Sequence, residues 1–177
     1  MFSIRKNTIL EIILWVTFFT YFFFLVKVIV LKFLPPELIV DQMHRIDSEL
    51  ISRSFSNSNL IPFKTIINYI VNPISAIIAI ENVIGNIIVF IPIGILAPFL
   101  VLKKYEFWVS FKVSLLASFC ISLAFEVIQP LTYLGVFDVD DLILNTFGGV
   151  LGFFIGYLFV NLYHNFKMKH YKKIIEH

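Results

Sequence analysis

Four long apolar runs dominate this sequence, and each is long enough to cross a lipid bilayer as one helix. They cover residues 9–34, 82–102, 108–129 and 141–163. About 20 helical residues, rising 1.5 Å each, span the roughly 30 Å hydrocarbon core. Only 15% of the residues are charged, against about a quarter in soluble domains. The sequence therefore predicts an all-α integral membrane protein, a bundle of about four transmembrane helices, rather than a soluble enzyme.

The first run is predicted to stay in the protein as a transmembrane helix. A secretory signal peptide has a shorter apolar region and a cleavage site of small residues, whereas this run is long and rich in Phe. Lys27 and Lys32 lie near its far end, where their side chains can extend toward the membrane surface. Pro35 and Pro36 then end the helix, because proline cannot continue it.

The segment between the first two spans, residues 35–80, is predicted to lie outside the hydrocarbon core. It begins with a polar stretch that favours one short helix around Glu37–Ser52. The apolar stretch that follows, from Thr65 to Leu102, is too long for a single span. Asn72-Pro73 and Glu81-Asn82 divide it. We therefore expect an extra helix over Thr65–Ile80 that is interfacial or re-entrant.

The distribution of Lys and Arg predicts which side of the membrane each loop faces. Most basic residues lie on one predicted side, in the N-terminal residues 1–8, between the second and third spans, near the start of the third span, and in the tail 164–177. They are Arg5, Lys6, Lys103, Lys104, Lys112, Lys167, Lys169, Lys172 and Lys173. The loop 130–140 has no Lys or Arg and ends in carboxylates. Because Lys and Arg are enriched in cytoplasmic loops, both termini are expected in the cytoplasm.

Charge and cysteine content exclude some classes of function. A net charge of +2 is too small to indicate nucleic-acid binding, and the basic residues lie in short clusters beside apolar runs rather than along one face. The single cysteine, Cys120, has no partner for an internal disulfide or a zinc site. It is expected to be a small buried residue.

Polar side chains at the outer ends of the last three spans are the candidate functional residues. Three pairs are spaced three or four residues apart, so that each pair shares one helix face. The pairs are Asn82 with Asn86, Glu126 with Gln129, and Asp141 with Asn145. Asp138 and Asp140 precede the last span. Since ionisable groups are costly in hydrocarbon, these eight residues are expected to converge on one outward-facing binding site.

Two interpretations of these residues remain open. In the structural one, the amides and Glu126 hydrogen-bond one helix to another, and Asp141 caps the fourth span. In the functional one, Glu126, Asp138 and Asp141 act as acid and base, hold a divalent cation, or pair with a cationic ligand. The glycines at 148, 152 and 156 have the spacing that allows close helix packing.

Four sequence strings together resemble the VanZ-like family. They are Asn59-Leu-Ile-Pro-Phe-Lys64, Asn82-x3-Asn86-x3-Phe90-x-Pro92-x-Gly94, Glu126-x2-Gln129 and Asp138-x-Asp140-Asp141-x3-Asn145-x2-Gly148-x3-Gly152. The resemblance covers residues 59–156. Members often carry an Arg shortly before the Asp of the last string, whereas this chain has Gly135-Val136-Phe137.

The resemblance implies a multi-pass protein of the bacterial cell membrane. The family takes its name from a protein associated with resistance to teicoplanin-type glycopeptide antibiotics. The first hypothesis is therefore an envelope protein that lowers glycopeptide access to its target. Its partners would be membrane lipids and a glycopeptide or a lipid-linked cell-wall component.

The second hypothesis is a membrane-embedded enzyme that acts on a lipid or lipid-linked substrate with Glu126, Asp138 and Asp141. A transporter or structural subunit is third, since transport sites usually lie near the middle of the membrane.

Overall fold

The computed structural model describes residues 2–3, 8–31, 34–71, 76–102 and 104–175, and these are mostly helical. Their elements in chain order are β1 (Phe2–Ser3), α1 (Thr8–Ile29), α2 (Pro36–His44), α3 (Ser48–Ser56), α4 (Lys64–Val71), α5 (Ala76–Val101), β2 (Lys104–Tyr105), α6 (Phe107–Leu131) and α7 (Val139–Ile175). Within the described residues, α1, α5, α6 and α7 are long and apolar enough to cross a membrane. The predicted all-α membrane bundle is confirmed.

The observed helix bounds differ from the predicted spans mainly at α5 and α7. Helix α5 begins at Ala76, before the predicted start of the second span, and α7 continues to Ile175. Neither Gly nor Pro interrupts the chain after Gly156. The last span therefore passes without a break into a polar helical extension, which includes the exposed His164, Lys167 and Lys169.

Two short helices replace the single one expected over Glu37–Ser52. Helix α2 ends at His44, and α3 begins at Ser48. Asp47 separates them because its carboxylate accepts a hydrogen bond from the Leu50 amide at 2.7 Å. That bond is a standard helix N-cap, so a new helix starts there.

The centre of the bundle is the close packing of α5 against α7. A methyl group added at Gly148 would overlap the carbonyl oxygen of Ile87, and one at Gly152 would overlap the carbonyl oxygen of Ile91. Only glycine permits this separation of the two backbones. The spacing predicted for residues 148 and 152 therefore does serve close helix packing, and Gly156 makes ordinary contacts.

Serine side chains let α6 pack closely against the contact between α5 and α7, which we call the seam. Ser110, Ser114, Ser118 and Ser122 repeat every four residues, and all four are fully buried. Cys120 lies on the opposite face of α6 and is exposed on the outside of the bundle. Its predicted burial was wrong because the serines occupy the inward face.

One of these serines replaces a hydrogen bond that a proline removes. Pro98 lies inside α5 and has no N–H, so the carbonyl of Gly94 loses its partner within the helix. The Ser114 hydroxyl donates to that carbonyl at 2.8 Å. Neighbouring helices commonly satisfy such freed groups in membranes.

The outer surface of the bundle is apolar, as contact with lipid requires. Phe19 of α1 and Leu158 and Phe159 of α7 are among its exposed side chains. The strands β1 and β2 pair antiparallel, which ties the N-terminus to the turn between α5 and α6. Several residues used in the predictions lie outside the described residues, namely Arg5, Lys6, Lys32, Asn72, Pro73 and Lys103.

Candidate functional site

The candidate site lies at the end of the bundle where α1 and α6 finish and α5 and α7 begin. Gln129 of α6 joins two of these ends, since its Nε2 donates to the Ile29 carbonyl at 3.0 Å. Helix α6 then stops in a tight turn in which Tyr133 has φ 54° and the Leu134 amide donates to the Gln129 carbonyl. This reverse turn is a common helix ending. It brings the chain back to the start of α7.

Asp138 is the N-cap of α7 and also holds the first loop. Its Oδ1 accepts from the Asp140 amide at 2.8 Å and from Asn59 Nδ2 at 2.9 Å, while its Oδ2 accepts from the Thr65 hydroxyl at 2.7 Å. Asn59 also pairs through its backbone with the residues flanking Asp138, as an isolated parallel bridge. The residue that caps the fourth span is thus Asp138 rather than Asp141.

Asp140 caps a different helix from a distance along the chain. It is fully buried, and it accepts hydrogen bonds from the backbone amides of Phe63, Thr65 and Ile66 at the start of α4. Phe63 stands at the N-cap position, where its side chain offers no acceptor, and its φ is 66°. A carboxylate at a helix N-terminus is stabilised by the unpaired amides and the helix dipole.

Glu126 completes this set of contacts from α6. Its side chain is 1% exposed, and its Oε2 accepts from the Asp138 amide at 2.8 Å. We call Asn59, Thr65, Glu126, Asp138 and Asp140 the aspartate network. Its carboxylates hold the loop before α4, the end of α6 and the start of α7 together.

Asp141, the residue after Asp140, lines a cavity of about 610 Å³. We call it the polar cavity, and its polar lining residues are Glu81, Asn82, Asn86, Gln129 and Asp141. Asn86 Nδ2 donates to Asp141 Oδ1 at 2.6 Å, which joins α5 to α7. The described residues that line it include no Lys, Arg or His. Its size lies within the usual range for small-molecule sites.

The eight predicted site residues thus fall into three groups. Four line the polar cavity: Asn82, Asn86, Gln129 and Asp141. Three belong to the aspartate network: Glu126, Asp138 and Asp140. Asn145 is separate from both, fully buried between helices, where its Nδ2 donates to the Ser122 hydroxyl at 2.9 Å.

Sequence reasoning missed several residues that shape this end of the bundle. Glu81, which lines the cavity, was interpreted only as a divider between helices, although it directly precedes Asn82. Asn59 and Thr65 received no role, even though Asn59 opens one of the four family-like strings. The four-residue repeat of serines in α6 was a visible signal for close packing that the sequence analysis did not use.

The carboxylates are arranged for hydrogen bonding to the protein's own amides more than for metal binding. Among the described residues, no group of three or more His, Cys, Asp or Glu side chains converges as a metal site would require. Both oxygens of Asp138 and both of Asp140 accept hydrogen bonds from the protein. Chemistry involving an external molecule is therefore best supported at the cavity, where amides and carboxylates face open space.

Comparison with known proteins identifies the family to which this chain belongs. A family model described as VanZ/LLP1 matches residues 18–160, from α1 to α7. Protein VanZ of Enterococcus faecium is 39% identical over 72 residues, which cover 41% of this chain and 42% of that relative. The match thus spans less than half of the relative's length. No solved structure matches. Because the family model covers most of the sequence, this multi-pass membrane protein belongs to the VanZ/LLP1 family.

Proposed function

We propose that this chain contributes to resistance against teicoplanin-type glycopeptide antibiotics and that the polar cavity is its working site. The family membership and the likeness to Protein VanZ support the link to resistance. The observation that carries the proposal for the site is the cavity itself, in which three carboxamides and two carboxylates surround about 610 Å³ of open space. Such convergent polar groups in a concave pocket are typical of a binding site.

The proposed location is the bacterial cell membrane, with both termini in the cytoplasm and the cavity facing outward. Charge supports this orientation. Lys104, Lys167 and Lys169 lie toward the end of the bundle opposite the cavity, while Glu81 and Asp141 line the cavity. Basic residues favour the cytoplasmic side. An outward cavity would meet glycopeptides, lipid-linked cell-wall components and membrane lipids where those molecules are found.

The orientation is tested by cysteine labelling. Cys120 is first replaced by Ser, and single cysteines are then introduced at Leu60, in the loop before α4, or at Met168, in the extension of α7. Both positions are exposed. A maleimide that cannot cross membranes is expected to label the Leu60→Cys protein in intact cells and the Met168→Cys protein only after lysis. The reverse pattern would place the cavity on the cytoplasmic side and exclude the proposed mode of action.

The function is tested by teicoplanin susceptibility in a sensitive host that expresses the chain. Wild type is compared with Asp141→Asn and Asn86→Ala, which alter the cavity, and with Asn161→Ala, an exposed position near the other end of α7. All proteins are brought to equal membrane levels by immunoblot. We expect protection from wild type and Asn161→Ala, and its loss in both cavity variants.

Two results would contradict the proposal in different ways. If wild type gives no protection, the resistance function is wrong for this chain. If both cavity variants protect as well as wild type, resistance is independent of the polar cavity. The enzyme hypothesis is less well supported, because Asp138, one of its three carboxylates, already accepts hydrogen bonds from Asn59, Thr65 and the Asp140 amide.

A further inference from the structure

The short helix α4 lies beside the first turns of α5. A groove of about 370 Å³ runs between the two helices, and its lining includes Ile66 and Tyr69 of α4 and Val83 of α5. The Tyr69 hydroxyl accepts a hydrogen bond from Asn82 Nδ2 at 3.0 Å. The part of α5 that is apolar enough to cross a membrane is Ala79–Val101. Helix α4 therefore lies at the depth where a membrane span begins.

The exposed surface of α4 has an apolar edge and a polar edge. Ile67, Ile70 and Val71 are all more than half exposed. Because successive helical residues are about 100° apart, these three side chains fall within roughly 100° of the helix circumference, the usual width of an apolar helix face. We call them the α4 stripe. Lys64 and Asn68, both exposed, lie on the edge next to Val71.

The α4 stripe continues the outer surface of α5. Ile80, Ile84 and Ile88 repeat every four residues along α5, and all three are exposed. Ile70 lines the same groove as Ile80 and Ile84, so the stripe and this row of α5 form one apolar surface. Ile88 lies well within the span Ala79–Val101, where the outside of a bundle meets lipid acyl chains. The surface that includes Ile70 is continuous with that lipid-facing row.

Two contacts hold α4 at this depth. At its start, the Asp140 carboxylate accepts hydrogen bonds from the backbone amides of Thr65 and Ile66. In its second turn, Tyr69 is joined to Asn82. Asp140 belongs to α7 and Asn82 to α5. Both contacts therefore attach α4 to membrane spans.

We propose that α4 lies in the interface of the membrane leaflet at the cavity end of the bundle, with the α4 stripe against lipid acyl chains. Lys64 and Asn68 then lie at the level of the headgroups. The eight residues of α4 are about 12 Å long, which is too short to cross the roughly 30 Å core. An interfacial helix sinks its apolar face about 5–10 Å into the boundary between headgroups and acyl chains. This placement is the interfacial one of the two expected from the sequence, and it does not depend on antibiotic resistance.

The placement is tested by tryptophan quenching in the full chain. Trp15 and Trp108 are the two tryptophans of the sequence, and both are first replaced by Phe. Single tryptophans are then introduced as Ile67→Trp, on the stripe, or as Asn68→Trp, on the polar edge. These neighbouring positions form a matched pair. Each protein is reconstituted into phosphatidylcholine vesicles with or without bromine on the acyl chains near the headgroup.

The two positions are expected to respond in opposite order to lipid and to water. Brominated lipid should quench Ile67→Trp more strongly than Asn68→Trp, and aqueous iodide should quench Asn68→Trp more strongly than Ile67→Trp. Ile88→Trp, an exposed position within the span of α5, is the control for lipid contact and should be quenched by bromine and not by iodide.

Three results would overturn the proposal. Equal quenching of Ile67→Trp and Asn68→Trp by both agents would show that α4 has no lipid-facing edge. Quenching of Ile67→Trp by iodide alone would place the stripe in water. Quenching of Ile67→Trp by neither agent would place the stripe against a second copy of the chain.

Folding and antibiotic resistance are kept distinct from this result. Each variant is first compared with the tryptophan-free protein by thermal unfolding in detergent. If Ile67→Trp fails to fold, Val71→Trp replaces it, since Val71 is on the same stripe and is also exposed. The assay contains no antibiotic, so the loss of teicoplanin protection in a host would leave the placement of α4 unaffected. Failure of the quenching pattern would likewise leave the resistance function unaffected.

Discussion

Asp140 and Asp141 are neighbours in sequence, but they belong to two regions of the molecule with opposite character. The Asp140 side chain is fully buried and accepts three backbone hydrogen bonds at the start of α4. The Asp141 side chain, about 100° further around α7, is half-buried, contacts Asn86, and lines open space. In the aspartate network the carboxylates accept hydrogen bonds from the protein itself and hold its elements together. In the polar cavity the Asp141 carboxylate lies at the edge of open space.

The comparison suggests how to separate structural from functional carboxylates in a small membrane protein. A costly group in the membrane needs a reason, but the reason can lie in the protein's own backbone. Full burial together with hydrogen bonds from backbone amides, as at Asp140, identifies the structural case. The following predictions test that distinction, from the largest expected effect to the smallest.

The largest effect is expected at Gly152, in the seam beneath both regions. Gly152→Ala places a methyl group on the Ile91 carbonyl oxygen, so α5 and α7 must separate. We expect a loss of about 3 kcal/mol of stability and disruption of both regions. The matched control is Gly85→Ala, where an added methyl group meets open space and should stabilise α5 by about 0.5–1 kcal/mol. Thermal unfolding in detergent measures both, and equal behaviour of the two variants would contradict the described seam.

The second prediction compares the two neighbouring aspartates directly. Asp140→Ala leaves the backbone amides of Phe63, Thr65 and Ile66 without their acceptor, and we expect it to cost about 3 kcal/mol. Asp141→Ala removes the hydrogen bond from Asn86 at the edge of a cavity and should cost less than Asp140→Ala, because Asp141 is only half-buried. Unfolding of the two variants in the same detergent gives the difference. A larger loss for Asp141→Ala would reverse the assignment of the two regions.

A smaller effect is expected at Thr65, which donates its hydroxyl proton to Asp138 at 2.7 Å. Thr65→Val keeps the shape of the side chain but removes the donor, and should cost about 1 kcal/mol. Thr65→Ser restores the hydroxyl and should recover most of the stability. Proteolysis of the loop before α4 provides a second measurement. If Thr65→Val and Thr65→Ser are equally stable, the hydroxyl does not hold that loop.

The smallest effect on stability is expected at Asn82, an exposed residue that lines the polar cavity. Asn82→Ala and Tyr69→Phe each remove the same hydrogen bond, and each should change stability by about 0.5 kcal/mol or less. The double variant should cost no more than either single one. A loss above about 2 kcal/mol would instead assign Asn82 to the structural region.

The long elements of the fold could be predicted from sequence because bilayer thickness imposes their length. Helical spacing also placed Asn86 and Asp141 at the same depth, and the structure joins them by a hydrogen bond. Both inferences used only local periodicity. The same reasoning explains why the predicted pairs on α5, α6 and α7 all lie toward the cavity end of the bundle.

The division of the carboxylates between two regions could not be predicted in the same way. Phe63 and Thr65 are separated from Asp140 by more than 70 residues, and no periodicity links them. The amides at the start of α4 have no capping side chain from their own loop. Only the structure shows that Asp140 accepts their hydrogen bonds instead. Sequence reasoning therefore grouped Glu126, Asp138 and Asp141 as one site, whereas the geometry assigns the first two to the fold.

The hydrogen bond from Ser114 to the Gly94 carbonyl has a consequence for how the chain enters the membrane. Pro98 leaves that carbonyl without a partner as long as α5 is alone, and a bare carbonyl in hydrocarbon costs several kcal/mol. Helix α6, which follows after a short turn, brings the missing donor. Release of α5 and α6 from the insertion machinery as a pair avoids the cost that stepwise release incurs. The proline therefore makes α6 a condition for the stable insertion of α5.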